Sequence, residues 1–245
     1  PAPPRCLTLW SSLPASSWHS MYDLPMLICA VLAFVPALML HEVAHGFAAY
    51  KLGDPTAKRA GRLSLNPVKH IDPFGTVILP ICLMAMNMPV FGYAKPVPYN
   101  PAYFENPRKG DMVVSLAGLL ANLLQAVAGA AIAAVLWFAL PIPQLVANDF
   151  VYYAYLTFLP TFVMTNLCLL FFNIIPIPPL DGSSVLLFFL PTKYLPQYYK
   201  VQQYALPILL LVLVLVPAVF PSINLVGWYM DVTAGNLFNL LYSWM

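Results

Sequence analysis

From Leu24 to Leu40 the chain runs seventeen residues without a charge, and HEVAHGFAAY follows before Lys51. With that extension the run exceeds the roughly 20 residues a helix needs to cross a bilayer. Further apolar runs occupy Pro73–Phe91, Gly110–Leu140, Phe150–Ile175 and Val201–Phe220. Charged residues are only 8% of the chain, against about 25% in a soluble domain. That cannot cover a water-facing surface, which excludes an ordinary cytosolic enzyme. The 61% hydrophobic content excludes intrinsic disorder. A net charge of +2 offers no basic field for nucleic acid. Cys6, Cys29, Cys82 and Cys168 are scattered without a CxxC pair, so neither a disulfide framework nor a cysteine zinc site is expected.

The fold class that follows is an all-α polytopic membrane protein of about five to six membrane segments. A small β or extended insertion is expected where Arg62-Leu63-Ser64-Leu65 alternates in polarity. Residues 1–23 are a proline- and serine-rich leader without an assigned role. Residues 24–190 form the core, and 191–245 a C-terminal membrane segment with an aromatic tail. Pro36 and Pro160 are expected to kink their helices.

Ten of the eleven Lys and Arg residues fall between Tyr50 and Gly110 or at Lys193 and Lys200. The positive-inside rule puts both stretches in the cytoplasm. A single crossing by Pro73–Phe91 would then place Lys69 and Lys95 on opposite sides. A re-entrant hairpin, or a segment packed inside the protein, avoids this, since irregular backbone at that depth must be buried in protein or face a wet cavity.

His41-Glu42-Val43-Ala44-His45 carries the chemistry. In a helix, positions i and i+4 share a face, so both imidazoles can reach one metal ion with Glu42 beside them as a base. Zinc suits such ligands and keeps an open position for water, whose pKa it lowers to about 7. Placing these three polar groups at the end of an uncharged run costs several kcal/mol unless something binds them. A polar patch lining a metal-free cavity is the bland alternative. Two histidines leave a ligand missing, and Asp181 is the candidate. It is the only acid between Asp149 and Asp231, and it follows Asn173-Ile174-Ile175-Pro176-Ile177-Pro178-Pro179-Leu180. Its alternative role is an N-cap for the helix of Ser183–Leu190.

HEVAHG on a membrane helix, with NIIPIPPLDG about 140 residues later, resembles the site-2-protease family of intramembrane zinc metalloproteases. GRLSLNPVKHIDPFGT and FGYAKPVPYNP resemble its compact bacterial branch, which lacks appended soluble domains. The resemblance runs from about Leu24 to Leu190. It implies one zinc ion on His41, His45 and Asp181, Glu42 as catalytic base, and Asn173 positioning the substrate backbone or the oxyanion. The family's AGPxxN-like stretch is here Ala117-Gly118-Leu119-Leu120-Ala121-Asn122, with leucine for proline. Asn122 keeps its place and is expected to support the active-site loop.

The function expected is zinc-dependent endopeptidase cleavage of membrane-protein segments near the cytoplasmic face, in a bacterial cell membrane. The partners are such substrates and the lipid bilayer, not nucleic acid, and the oligomeric state is open. A zinc carrier or sensor using the same His/His/Asp site is the competing class, and a dead homologue acting as a chaperone is a third. Gly61–Asn66 or the YAKPVPYN segment is expected to receive an unwound substrate by strand addition. His70 and Asp72 are read as a structural turn, and Asn166 and Gln125 as inter-helix hydrogen bonds. Trp137, Tyr152, Tyr153, Trp228, Tyr229 and Trp244 are read as an interfacial belt.

Overall fold

The computed structural model describes residues 24–78, 82, 95–142, 148–219 and 225–244. The longer helices are α1 (Leu24–Lys51), α2 (Pro107–Ala139), α3 (Leu159–Asn173), α4 (Gly182–Phe189) and α5 (Leu195–Val219). The tail forms α6 (Leu225–Met230) and α7 (Asn236–Leu241), joined by a π-helical turn at Asp231–Gly235.

Among the described residues three helical stretches are long and apolar enough to cross a membrane: Pro25–Lys51, Pro107–Ala139 and Tyr152–Asn173. Their outward faces are apolar too. Val31 and Leu32 on α1, and Leu124, Val135 and Phe138 on α2, are all exposed. In water such a surface would aggregate; in a membrane protein it meets lipid. The further segments expected, to a total of five to six, are not established by the described residues; Pro73–Phe91 lies mostly outside them, as does the leader 1–23. Pro73–Ile78 enters that run as a π-helical turn.

α2 is central. It packs along α1 and α3, while α4 lies against its N-terminal half. Asn106 caps it by accepting from the Lys109 amide at 3.1 Å, and Pro107 sits at the first helical position, where its missing N–H costs nothing. The core is built from small α2 residues, Ala126, Ala130 and Ala133, against Tyr155, Leu159, Val163 and Leu167. Gly129 faces Val163 and Phe162, where an added Cβ would come within 2.9 Å and 3.0 Å of their side chains. Small residues let these helix axes approach where lipid supplies no hydrophobic drive.

Pro36 lies inside α1, which is continuous from Leu24 to Lys51. At Pro160 the chain passes from a π-helical stretch, Tyr152–Phe158, into the first turn of α3. Pro160 has no N–H to bond back into the preceding turn, and the π-helical widening lies just upstream of it.

The tail is part of the core. Phe238 and Tyr242 are buried in it, and the Tyr229 hydroxyl donates to the Phe171 carbonyl at 3.0 Å. Trp137 stacks on Tyr155 with ring centroids 6.1 Å apart and meets Trp244 at 6.3 Å. These tryptophans therefore do packing work that an interfacial belt alone does not require.

One sequence expectation differs from the structure. Among the described residues no strand forms; a helical turn, Thr56–Arg59, runs into Ala57–Asn66 and irregular backbone follows it. The reason is Arg62. Its guanidinium is buried and donates to the carbonyls of Lys69, Lys95 (2.5 Å) and Pro96 (3.3 Å), so it binds three loop positions together. Arg62 is spent inward on neighbouring loops, and the Ser64 hydroxyl accepts locally from the Asn66 amide at 3.3 Å.

Candidate metal centre

His41 and His45 lie on one face of α1, one turn apart, as the i, i+4 spacing requires. Their rings meet edge to face with centroids 4.4 Å apart, and both residues are buried. The Nε2 atoms stand 2.9 Å from each other. Asp181 reaches them from 136 residues beyond His45 in the chain. Its Oδ2 is 3.1 Å from His41 Nε2 and its Oδ1 is 3.4 Å from His45 Nε2. Among the described residues these three form the one group of His, Cys, Asp or Glu with ligand atoms within 4.8 Å of one another.

Asp181 occupies the N-cap position of α4, yet its side chain makes no capping bond. The carboxylate turns to the histidines instead, which removes the N-cap reading. Gly182 allows this by its small size: a Cβ there would lie 2.1 Å from the Ile174 carbonyl oxygen. The 174–182 turn closes on itself at that point. Arg108 holds the far end of α4, donating to the carbonyls of Leu187, Phe188 and Leu190. These carbonyls lie at the C-terminal end of α4, where Leu187 also accepts from the Leu190 amide at 3.3 Å, and a cation there suits the helix dipole.

The outer nitrogens of the rings decide what the inner ones can do. His41 Nδ1 meets Asn122 Oδ1 at 2.5 Å, and His45 Nδ1 meets the Val114 carbonyl at 2.8 Å. Both partners are acceptors, so both Nδ1 atoms carry protons, and neutral imidazoles then present lone pairs at Nε2. Two lone pairs 2.9 Å apart beside a carboxylate need a cation between them. A proton would serve, and so would a divalent ion. Tetrahedral zinc with nitrogen ligands at about 2.0–2.1 Å has ligand–ligand edges near about 3.3 Å, so the observed spacings fit it. An N–H on Nδ1 bonded to an acceptor is also the usual arrangement of a metal-bound histidine.

The site depends on close approach of α2. A Cβ on Gly118 would stand 2.3 Å from His45 Cε1, 2.6 Å from its Nε2 and 2.8 Å from His41 Cε1. Glycine is needed there for space, within an ordinary helix. Glu42 lies beside the pair, and its Oε2 accepts from the Val97 amide at 2.9 Å. The loop 95–104 that carries this amide is anchored at Asp54, which accepts from the amides of Asn100 (2.6 Å) and Thr56 (2.9 Å).

Asn122 therefore joins the cluster, through His41. Asn173 does not. It ends α3, and its amide donates back to Leu169 at 2.9 Å; among the described residues it makes no hydrogen bond to His41, His45 or Asp181. His70 accepts its structural reading, with Nε2 2.8 Å from the Ser64 carbonyl. Asp72 does likewise, accepting from the amides of Phe74 and Gly75. Gln125 donates to the Ala37 carbonyl of α1 at 3.4 Å. Cys29, Cys82 and Cys168 are free thiols. Gly118, the Val114 carbonyl and the Val97 amide escape sequence reading. Gly118 had one visible signal, its place in the AGLLAN stretch.

Comparison with known proteins points to a family of zinc peptidases. The family model described as peptidase family M50 matches residues 139–216, which contain Asn173 and Asp181. The chain is 34% identical over 207 residues to a Bacillus subtilis protein named "Putative zinc metalloprotease YwhC", covering 83% of this chain and 89% of that one. It is 30% identical over 205 residues to the Mycobacterium tuberculosis H37Rv protein named "Putative zinc metalloprotease Rip2", covering 84% and 71%. Its match to the Mycolicibacterium smegmatis protein of the same name is 30% over 159 residues, covering 65% and 56%. No solved structure matches the chain significantly.

Proposed function

The chain belongs to peptidase family M50, the site-2-protease family, and is a zinc metalloprotease; from that premise we propose that it hydrolyses peptide bonds of membrane-protein segments within the bilayer, near its cytoplasmic face. The observation that carries the reading is the convergence of three ligand atoms, two of them lone-pair nitrogens, at the end of an uncharged membrane helix. His41, His45 and Asp181 are the ligands in this proposal. Zinc bound there supplies a Lewis acid that activates water and polarises the scissile carbonyl.

Glu42 is the base. One carboxylate oxygen is held by the Val97 amide, which leaves the other to take the proton of the attacking water. Glu42 then returns that proton to the amide nitrogen as the C–N bond breaks, giving one carboxyl and one amine terminus. Asn173 is proposed to hold the substrate backbone through the parts of its amide that Leu169 does not use. An apolar pocket of about 270 Å³ lies next to the Asp181 turn, lined by Leu116, Ile174, Pro176, Gly182, Val185, Leu186 and Phe189. It suits an apolar side chain of a substrate segment.

Depth is set by α1. Lys51 lies six positions beyond His45, about 9 Å of helix at 1.5 Å per residue, so the site is shallow and water can reach it. The basic residues that follow support a cytoplasmic position for this end. With Arg62 buried, the segment beginning at Lys95 is the better candidate to meet an unwound substrate.

Metal analysis of the detergent-purified chain tests the reading. About one zinc per chain is expected, lost in Asp181→Ala and kept in Glu42→Gln. On a panel of single-span peptides Glu42→Gln is expected to lose at least about 10³-fold in turnover, a size consistent with removal of a general base. A carrier or sensor would keep its function in Glu42→Gln, and undiminished cleavage by that variant would end the proposed mechanism.

A further inference from the structure

We propose that Asn166, acting through Asn122, sets the tautomer of His41 and so keeps its Nε2 available for metal. The inference rests on the reading of His41 as a zinc ligand, and it makes Asn122 and Asn166 positioning residues.

The chain of bonds starts at a group that can act in only one way. The Phe162 carbonyl of α3 accepts, and Asn166 Nδ2 donates to it at 2.9 Å. Asn166 must then present its oxygen to α2, where Asn122 Nδ2 donates to it at 3.1 Å. That in turn commits Asn122 to present its oxygen to His41, whose Nδ1 lies 2.5 Å away. An oxygen there demands a proton on Nδ1. Polarity thus passes from a backbone carbonyl, through two side-chain amides, to one ring nitrogen, and reversing any link sets two like groups against each other.

Both asparagines are 0% exposed, so no water can replace a missing partner. A buried amide pair between membrane helices costs desolvation that an apolar pair avoids. His45 shows the simpler solution, a direct bond from Nδ1 to the Val114 backbone carbonyl. That acceptor cannot be lost by substitution. His41 lacks such a carbonyl, and its orientation depends on two side chains from two other helices.

The test uses the full chain in detergent, with zinc affinity measured by competition against a chromophoric chelator at pH 7.5. Removing an outer partner of a metal ligand typically costs about 10–100-fold in affinity. Asn166→Leu is expected to weaken zinc by that amount. The pair Asn122→Leu with Asn166→Leu removes both amides while keeping the heavy-atom branching of each side chain, so a role in shape alone predicts near wild-type affinity. The relay predicts the same 10–100-fold loss. Asn122→Asp with Asn166→Leu presents only acceptors to His41 and is expected to recover affinity to within a few-fold. Wild-type affinity in the double leucine variant overturns the proposal.

A second measurement needs no folded variant. In the ¹⁵N-histidine spectrum of the metal-free wild type, Nδ1 of His41 is expected to be protonated, and a bare Nδ1 overturns the relay. Wild-type protein that binds no zinc would instead defeat the reading of the metal centre. The spectrum would still decide the relay.

Discussion

The two halves of α2 meet the same neighbours by different means. Toward its C-terminal end, Ala126, Gly129, Ala130 and Ala133 lie against Tyr155, Leu159 and Val163 in an apolar seam. Toward its N-terminal end, Val114, Gly118 and Asn122 meet His45, His41 and Asn166. Both halves use small residues to bring helices close. In the seam, contact is a matter of volume, and side chains can adjust by tenths of an ångström. At the metal centre each donor has one acceptor, and no movement improves one bond without breaking another. The same helix is thus forgiving at one end and exacting at the other.

Substitution of the two glycines measures that difference most strongly. Gly118→Ala puts a Cβ into both imidazoles, and zinc affinity is expected to fall by at least about 100-fold, read by chelator competition; a decrease typical of a lost outer partner is about 10–100-fold. Gly129→Ala meets only side-chain ends of Val163 and Phe162. It is expected to cost about 1–3 kcal/mol of stability as overpacking, with zinc affinity unchanged. If both variants lost zinc equally, the contrast between the two halves would fail.

Zinc itself sharpens the comparison. Free metal at about 100 times its dissociation constant is expected to stabilise the wild type by about 2.7 kcal/mol, and thermal unfolding with and without chelator checks it. Gly129→Ala should gain the same increment and Gly118→Ala almost none.

A smaller effect is expected where the seam holds a polar contact, the Tyr155 hydroxyl donating to the Ala133 carbonyl at 2.8 Å. Tyr155→Phe should cost about 1 kcal/mol, measured by thermal or denaturant unfolding, and leave zinc binding intact. Smallest of all, Val135→Leu on the lipid-facing side of α2 should stay within about 0.5 kcal/mol.

Acid probes the anchoring of the loop that holds Glu42. Burial works to raise the Asp54 carboxyl, but hydrogen bonds from Thr56 and Asn100 more than offset this and hold it below its usual value. Its contribution is therefore present above the unfolded carboxylate value of about 3.9 and lost as pH falls below it. Protection of the Asn100 amide against exchange, taken relative to its intrinsic rate, is expected to fall in the wild type as pH drops below about 3.9 toward the lowered folded value. Asp54→Asn should remove that dependence.

Much of this was legible in the residues themselves. A charge-free run ending in HEVAH specifies a membrane helix with two imidazoles on one face, because helix periodicity acts over four residues and needs no partner. Asp181 stood out as an isolated acid after a proline-rich turn. Arg62 was misleading because a four-residue alternation looks the same whether its polar positions face solvent or neighbouring loops. Chain order likewise could not assign Trp244 to Trp137, because that contact depends on where the tail folds back.

By itself, then, the sequence determined the environment, the helices and the types of ligand, since hydrophobic length and i, i+4 spacing are local properties. Only the tertiary structure decided which atoms meet. The bond from Asn122 to His41 spans 81 residues, that from Asn122 to Asn166 spans 44, and that from Val114 to His45 spans 69. Such bonds exist only after helices dock, and docking follows from surface shape summed along each helix. The clearance at Gly118 has the same origin. A missing side chain has meaning only when a neighbour occupies the space it leaves.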